Sequence, residues 1–533
     1  SESNQQGNVC IDLGRYQLKP LFAESSPVAP NLQDWQAELL ASPAVGRPGE
    51  ICPLILEEER LYLYRYWFYE SELADSILRR ARAINLADPG GLKAMLAKLY
   101  PSDSYQQQKT AVELAVKQRF TLISGGPGTG KTTTVINILR ALLAQQADLR
   151  IELTAPTGKA AARLMEAIRQ RIDAIATDDP GAKLLPQRAS TIHRLLGYNK
   201  TGVKFDNQHL LPLDCIVIDE ASMIDLPLMY HLVDALPPEA RVILLGDRDQ
   251  LASVAAGSVL ADISGLGLAI NNSHFPLAGS IAFLRDSYRF DAASEIGLIA
   301  SQVNMGNSKA VLELLAHAKK NVAWKPNISD QFDNGILQHV LDQYRSVIQA
   351  ESIEQAFSAF ESFRALCAVH NGVFGISEIN RRVELAMRAQ GWLESTEQYH
   401  GKAILINSND YESGLFNGDI GLLWRGSDER LYACFRDLEQ GIRRVSINNL
   451  PDHSPAWAMT VHKSQGSEFD SVLLILPGIH QQRALSRELL YTGITRARSS
   501  LMIYASEDAI NYACQNTEQR HSGLARKLGW PAA

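Results

Sequence analysis

Four sets of residues in this chain combine types suited to phosphoryl chemistry. The first is GGPGTGKT, residues 125–132. Gly125, Gly126, Gly128 and Gly130, with Pro127 and Thr129 set among them, let the loop's backbone N–H groups turn inward toward an anion. Lys131 supplies a full charge for the β- and γ-phosphates of a nucleotide. Thr132 offers a hydroxyl to Mg2+, and Thr133 extends the same nucleotide-binding set. The second stretch is IVIDEAS (216–222), in which Asp219 would hold the metal ion and Glu220 would polarise the attacking water. The third comprises two distant arginines, Arg289 in LRDSYRF (284–290) and Arg496 in YTGITRAR (491–498), each a candidate for stabilising charge on the leaving side of a γ-phosphate. The fourth, TVHKSQGSEFD (460–470), sets small and cationic donors ahead of a single glycine and a glutamate.

These groups need a scaffold, and the hydropathy pattern describes one. FTLIS (120–124) reads as a short buried strand leading into the glycine-rich turn. After the turn, Val135, Ile138, Leu139, Leu142 and Leu143 recur at the spacing of one helix face. IELTAP (151–156), CIVIDE (215–220) and RVILLGD (241–247) are further apolar runs that end in polar or small residues. Such ends are where a parallel α/β sheet carries its chemistry. Residues 197–213 interrupt the alternation and read as a small insertion, a hairpin by pattern. Residues 276–400 are mostly helical, with one strand at RALCAV (364–369). Between 401 and 454 the pattern changes to short β-type runs, KAILI, DIGLLW, RLYACF and RRVSI, separated by turn residues, which predicts a small antiparallel barrel. SVLLILP (471–477) and SLMIYA (500–505) return to buried strands. Residues 1–100 form a separate Leu- and Ala-rich module, in which RLYLYRYWFYESE (60–72) is either a local core or a partner surface.

The 533 residues are enough for three or four domains. A net charge of −7 argues against a broadly basic nucleic-acid coat, so any anion site must be local. The six cysteines are scattered without a CxxC pair, which argues against zinc or a disulfide framework and fits a reducing cytoplasm. No apolar run approaches the length of a membrane span. The chain opens on Ser1, which leaves N-terminal targeting unread. The glycine-rich turn by itself leaves kinases, GTPases, transporters and motors open. A GTPase would need Asp where NKTG (199–202) has Gly202.

Taken in order over about 101–533, the motifs resemble those of superfamily 1 helicases, and within them the RecD branch. The resemblance implies an α/β fold of two RecA-like P-loop NTPase domains. Domain 1A would span 101–275, with a small 1B insertion at about 197–213. Domain 2A would span 276–400 and 455–533, with an SH3-like β-barrel, 2B, inserted at 401–454. A mainly helical N-terminal domain, 1–100, would dock partners. By the same resemblance Gln108 in YQQQKTAV reads adenine, and Gln250 in GDRDQLASV couples nucleotide to DNA. Gly466 and Glu468 lie at the nucleotide, Glu468 on the ribose. LTAPTGKAAARL (153–164) and STIHRLLG (190–197) contact DNA through Pro156, Thr157, Lys159, Thr191 and His193. Thr460, His462, Lys463 and Ser464 lie near single-stranded DNA, where small donors suit phosphates and sugars. The implied activity is ATP- and Mg2+-dependent 5′→3′ travel on single-stranded DNA from DNA ends. It would take place in a heterotrimer with RecB-like and RecC-like subunits, without a membrane, in the bacterial cytoplasm at the nucleoid. A stand-alone RecD-like helicase is the alternative. Such relatives carry helix–hairpin–helix modules, and residues 1–100 hold no Gly-x-Gly hairpin pattern. A relaxase-type domain would need a Tyr/His set upstream. A silent scaffold would lack Lys131, Glu220 or an arginine finger.

Overall fold

The computed structural model describes residues 2–21, 27–175, 184–199, 202–265, 275–286, 294–326, 333–393, 397–410, 413–437, 441–478, 481 and 484–531. Strands Phe120–Gly125 and Cys215–Ile218 are buried along their whole length, and Arg241–Gly246 nearly so. A strand covered on both faces has no solvent side on which to place polar residues, which is why these read as continuous apolar runs. They form the centre of a six-stranded, all-parallel sheet. Its order is Ile281–Leu284, Phe120–Gly125, Arg241–Gly246, Cys215–Ile218, Ile151–Ala155 and Ala189–Thr191.

The two outer strands were not expected. Ile281–Leu284 lies beyond the predicted boundary at 275 yet pairs with Leu122–Gly125, and Ala282 and Leu284 are buried in the first-lobe core. Four apolar residues cover what would otherwise be the open edge of the P-loop strand, so the first lobe continues to at least 284.

The second lobe is a five-stranded parallel sheet ordered Val322–Lys325, Ala497–Tyr504, Phe469–Ile475, Phe363–Cys367 and Ala458–Thr460. Three of these strands match the apolar runs of the sequence. Val322–Lys325 and Ala458–Thr460 are too short to announce themselves.

Strands Ala403–Ile406, Ile420–Arg425, Leu431–Asp437, Gly441–Ser446 and His453–Pro455 make an antiparallel sheet around a small core of their own, which includes Ile404, Leu423 and Phe435. This inserted module is anchored where the chain enters and leaves it. Lys402 pairs with Glu384 at 3.1 Å, and Tyr399 donates to Glu384 at 2.9 Å. Trp457 in turn donates its indole N–H to Tyr399 at 3.0 Å.

Three further expectations change. The described residues of 197–213 form isolated bridges, Asn199 with Gly202 and Asp206 with His209, rather than a laddered hairpin. The N-terminal module keeps its helices, among them Leu32–Leu40, Tyr64–Arg80 and Pro89–Leu99, but adds a four-stranded sheet. Its aromatic run is largely spent inside the chain. Tyr69 stacks on Tyr230 at 4.4 Å, and Trp67 packs on the first-lobe core.

The last stretch of the chain, which the resemblance assigns to the second lobe, turns back. Leu524, Ala525, Leu528 and Trp530 are buried with the N-terminal module and first lobe, and Trp530 donates to the Ile263 carbonyl at 3.2 Å. Burial of that apolar face outweighs its sequence neighbourhood, since each fully buried large side chain contributes about 1.5–3 kcal/mol.

Candidate active site

The glycine-rich turn joins Phe120–Gly125 to the helix Lys131–Gln145, whose predicted apolar face is buried on the sheet. Gly128 and Gly130 have φ of 80° and 83°, a left-handed backbone that aligns their N–H groups with the helix N-terminus. Gly126 is required for another reason. A Cβ there would lie 2.8 Å from the hydroxyl of Tyr491, a second-lobe residue. Lys131 donates to the carbonyls of Gly125 at 2.5 Å and Gly126 at 3.0 Å, so its ammonium lies across the turn. Thr129 closes the loop by donating to Gly126 at 2.9 Å, and buried Gln108 donates to the Thr129 carbonyl at 3.2 Å. Pro127 and Thr132 are half-exposed on this rim, and Thr133 is exposed.

Asp219 and Glu220 follow the strand Cys215–Ile218 directly. Glu220 has φ 53°, a left-handed backbone that costs a non-glycine residue about 1–3 kcal/mol and is typical of functional turns. Its N–H donates to the Asp219 carboxylate at 2.9 Å. Desolvation first, and the Glu220 charge second, push the Asp219 carboxyl up to about 6, while Lys131 and Arg163 pull it back. Thr132 follows Lys131, whose charge acts on Asp219, and Thr132 and Asp219 both offer hard oxygen donors of the kind that a Mg2+ ion shared with phosphates requires. Among the described residues no cluster of three or more His, Cys, Asp or Glu offers an all-protein metal cage.

The loop after strand Arg241–Gly246 is held by the opposite lobe. Tyr491 donates to Asp247 at 3.0 Å, and Thr492 Oγ1 accepts from the Leu251 N–H at 2.9 Å. Gln465 donates to the Leu251 carbonyl at 2.7 Å, and the Leu251 side chain is buried in the second-lobe core. Gln250, also buried, donates to Asp247 at 3.1 Å and leaves its own carbonyl oxygen unpartnered. Burial pushes the Asp247 carboxyl up to about 6, partly offset by Lys131.

Arg496 ends the helix Arg487–Thr495 and is 2% exposed. It donates to the carbonyls of Thr492 at 3.2 Å and Ser467 at 3.0 Å. Burial lowers its pKa from the ordinary arginine value, and the Glu220 and Glu468 carboxylates oppose that shift. A second-lobe arginine is thereby brought into the field of Glu220, the first-lobe glutamate expected to polarise water. The other expected finger, Arg289, lies outside the described residues.

Gly466, at φ 70°, passes so close to the first lobe that a Cβ would sit 3.3 Å from Ala160. Glu468 is paired with Arg163 of the first lobe and with Arg498 at 3.2 Å. The expected DNA-side donors behave differently. Thr157 accepts from Ala160 N–H at 3.2 Å, Thr191 from Arg194 N–H at 3.2 Å, and Thr460 from Lys463 N–H at 3.3 Å. Each caps its own turn. Pro156 follows the strand Ile151–Ala155 directly. His193 packs on Tyr198 at 5.0 Å, and burial lowers its pKa. Lys463 reaches Asn407 of the inserted module at 3.1 Å, and burial lowers the half-buried His462. Lys159, an exposed residue overall, holds its ammonium 5.5 Å from the Phe469 ring, and desolvation and the Arg364 charge lower it to about 8.

Ser464 corrects an expectation. It is fully buried and donates to the Val461 carbonyl at 2.7 Å, so its hydroxyl shapes the turn rather than facing a strand of DNA. Sequence reasoning missed Arg163, Asp247, Tyr491 and Thr492. All lie inside motifs quoted above. Only for Arg163 was there a local signal, its place one helical turn after Lys159.

Three known families match the chain: an AAA domain over residues 108–256, a UvrD-like helicase C-terminal domain over 455–504, and the N-terminal domain of RecBCD enzyme subunit RecD over 1–62. Fold and site thus define a two-lobed P-loop NTPase. The RecBCD enzyme subunit RecD of Mycolicibacterium smegmatis is 36% identical over 98% of this chain and 91% of that protein. The subunit from Haemophilus influenzae is 33% identical, with the same two coverages. The chain belongs to the RecD family. The ATP-dependent RecD2 DNA helicase of Deinococcus radiodurans is 29% identical over 88% of the chain and 59% of that protein. A crystal structure of Bacteroides Pif1 bound to single-stranded DNA aligns with 75% of the chain and 91% of its own at 17% identity, with a TM-score of 0.40.

Proposed function

We propose that the chain is an ATP-dependent 5′→3′ DNA helicase, the RecD motor of a RecBCD-type helicase–nuclease that processes DNA ends in recombinational repair. One observation carries the reading: the second-lobe helix that ends at buried Arg496 is fastened across the seam beside the P-loop, where Tyr491 donates to Asp247 and Thr492 accepts from the Leu251 N–H. In the motor, the P-loop amides and Lys131 hold the phosphates, and Gln108 stands beside the loop for the adenine. Glu220 orients water, and Arg496 and Arg289 neutralise charge on the γ-phosphate. Thr132 and Asp219 would hold a Mg2+ ion, which would offset phosphate charge when bound. The nucleotide then favours a closed seam through contacts it makes with both lobes at once, and loss of the γ-phosphate removes them. DNA-side residues on both lobes, Thr157, Lys159, Thr191 and His193 on one and Thr460, His462 and Lys463 on the other, move relative to each other in each cycle. Their grip is on backbone rather than bases, so binding weakens steeply with salt.

Partners of RecB and RecC type follow from the subunit reading, and so does a cytoplasmic, nucleoid-associated location. Among the described residues no helix is long and apolar enough to cross a membrane. The RecD2 relative supports a stand-alone helicase as the second reading, but the RecD subunits match more of the chain at higher identity. Strand displacement on forks bearing a 5′ or a 3′ single-stranded tail tests the polarity, with unwinding expected only from the 5′ tail. Co-purification from native lysate separates the two readings, since two large subunits are expected and their absence would favour the stand-alone enzyme.

A further inference from the structure

We propose that Arg163 is a positioning residue that couples the nucleotide site to the DNA-side loop by binding Glu468 across the seam. The proposal rests on the motor reading above and adds to it a route between the two ligands. Arg163 lies in the first-lobe helix Gly158–Ile175, just past the turn at Thr157 and four residues after Lys159. Residues four apart share a helix face, so Arg163 and Lys159 move as one unit.

The guanidinium of Arg163 forms an ion pair with Glu468 and reaches the Gly466 carbonyl at 3.4 Å. Both partners belong to the second-lobe stretch that the motor reading places at the nucleotide. The Glu468 side chain is 8% exposed, and it also pairs with Arg498 of its own lobe. Arg163 therefore supplies the first-lobe half of a charge clamp around one buried carboxylate. The field around it joins the clamp to the chemistry. Burial works against the Arg163 charge, but Glu468, Glu220 and Asp219 together outweigh it and hold its pKa above the usual value. The same cation repels Arg496.

A nucleotide that engages Glu468 through its sugar must share that carboxylate with Arg163. Binding thus acts directly on the helix that begins at the DNA-side turn. A pair of charges held in one geometry is a two-position element of the kind that coupling requires, since each ligand biases the same contact. The Gln250 loop is a separate tether and lies on another strand end.

The test uses the full chain with whatever subunits co-purify. Single-stranded DNA affinity is measured with and without a non-hydrolysable ATP analogue for the unmodified protein, R163Q, R163K, E468Q and the double variant R163Q/E468Q. The unmodified chain is expected to change its DNA affinity with analogue by about fivefold or more, and R163Q to bring that ratio within about twofold of unity. R163K keeps the charge but not the two-pronged contact and falls between them. The double variant is expected to be no worse than the poorer single, because both remove one contact. An R163Q ratio equal to that of the unmodified chain overturns the proposal. If R163Q does not fold, an undiminished ratio in R163K does the same. Should the unmodified chain itself show no linkage between analogue and DNA, the motor reading fails, an outcome distinct from loss of linkage in the variants alone.

Discussion

The two faces of the interlobe seam satisfy their polar groups in opposite ways. On the nucleotide face the partners come from across the gap: Tyr491 to Asp247, Thr492 and Gln465 to Leu251, Arg163 to Glu468. On the DNA face three of the expected hydroxyls are satisfied at home, Thr157, Thr191 and Thr460 each capping its own turn, while Lys159 holds its ammonium over the second-lobe Phe469 ring without a hydrogen bond to it. A group paired across a seam senses the seam's width. One paired within its own lobe is carried along without sensing it. The hydrogen bonds across the seam thus gather on the proposed nucleotide face, whereas the capping hydroxyls of the proposed DNA face ride on their own turns. This is the division of labour that a stepping motor needs, because only differential contacts shift a conformational equilibrium.

Substitutions on the two faces should separate accordingly. Lys131→Ala removes the ammonium that lies across the P-loop. DNA-stimulated ATP turnover should fall by at least about a hundredfold with the far-UV circular dichroism unchanged. Unchanged turnover would remove the nucleotide assignment. Arg496→Ala should lower turnover by about 100- to 1,000-fold while nucleotide affinity stays within about threefold. Equal loss of both would make Arg496 a structural residue that only ties Thr492 to Ser467.

Gly466→Ala tests the close approach rather than a charge. The left-handed backbone and the contact with Ala160 should cost about 1–3 kcal/mol, read as roughly a tenfold loss of turnover. A variant with unaltered kinetics would show that the lobes need not come so near. The smallest effect belongs to the DNA face. Thr191→Ala removes a helix cap and should lower stability by about 1 kcal/mol in thermal or denaturant unfolding. ATP turnover without DNA should hardly move. A large loss of that basal turnover would blur the contrast between the faces.

The same contrast explains what the sequence discloses. Gly125–Thr132, Asp219 and Glu220 are legible because their chemistry sits at the ends of buried strands, where apolar runs give way to polar residues over a few positions. The inserted sheet is legible from its turn residues. The Arg163–Glu468 clamp joins residues about 300 positions apart, and nothing local to either predicts the other. Ser464 reads as a donor because its type is right, and only tertiary packing reveals that its hydroxyl is spent on Val461. Edge strands of three or four residues, Ala189–Thr191 and Ile281–Leu284, are defined by the neighbour they cover rather than by their own pattern. The terminal segment with Leu524 and Trp530 follows its apolar face to the far lobe against the order of the chain.

The central claim is that ATP is clamped between the lobes and that its γ-phosphate is what the second lobe's arginines grip. A crystal structure of the full chain with single-stranded DNA and ADP–aluminium fluoride tests it most directly. The account predicts the Arg496 and Arg289 guanidinium groups within hydrogen-bond distance of the fluoride, with Lys131 on the opposite side of it. Both arginines turned away from the fluoride in a DNA-engaged molecule would contradict it.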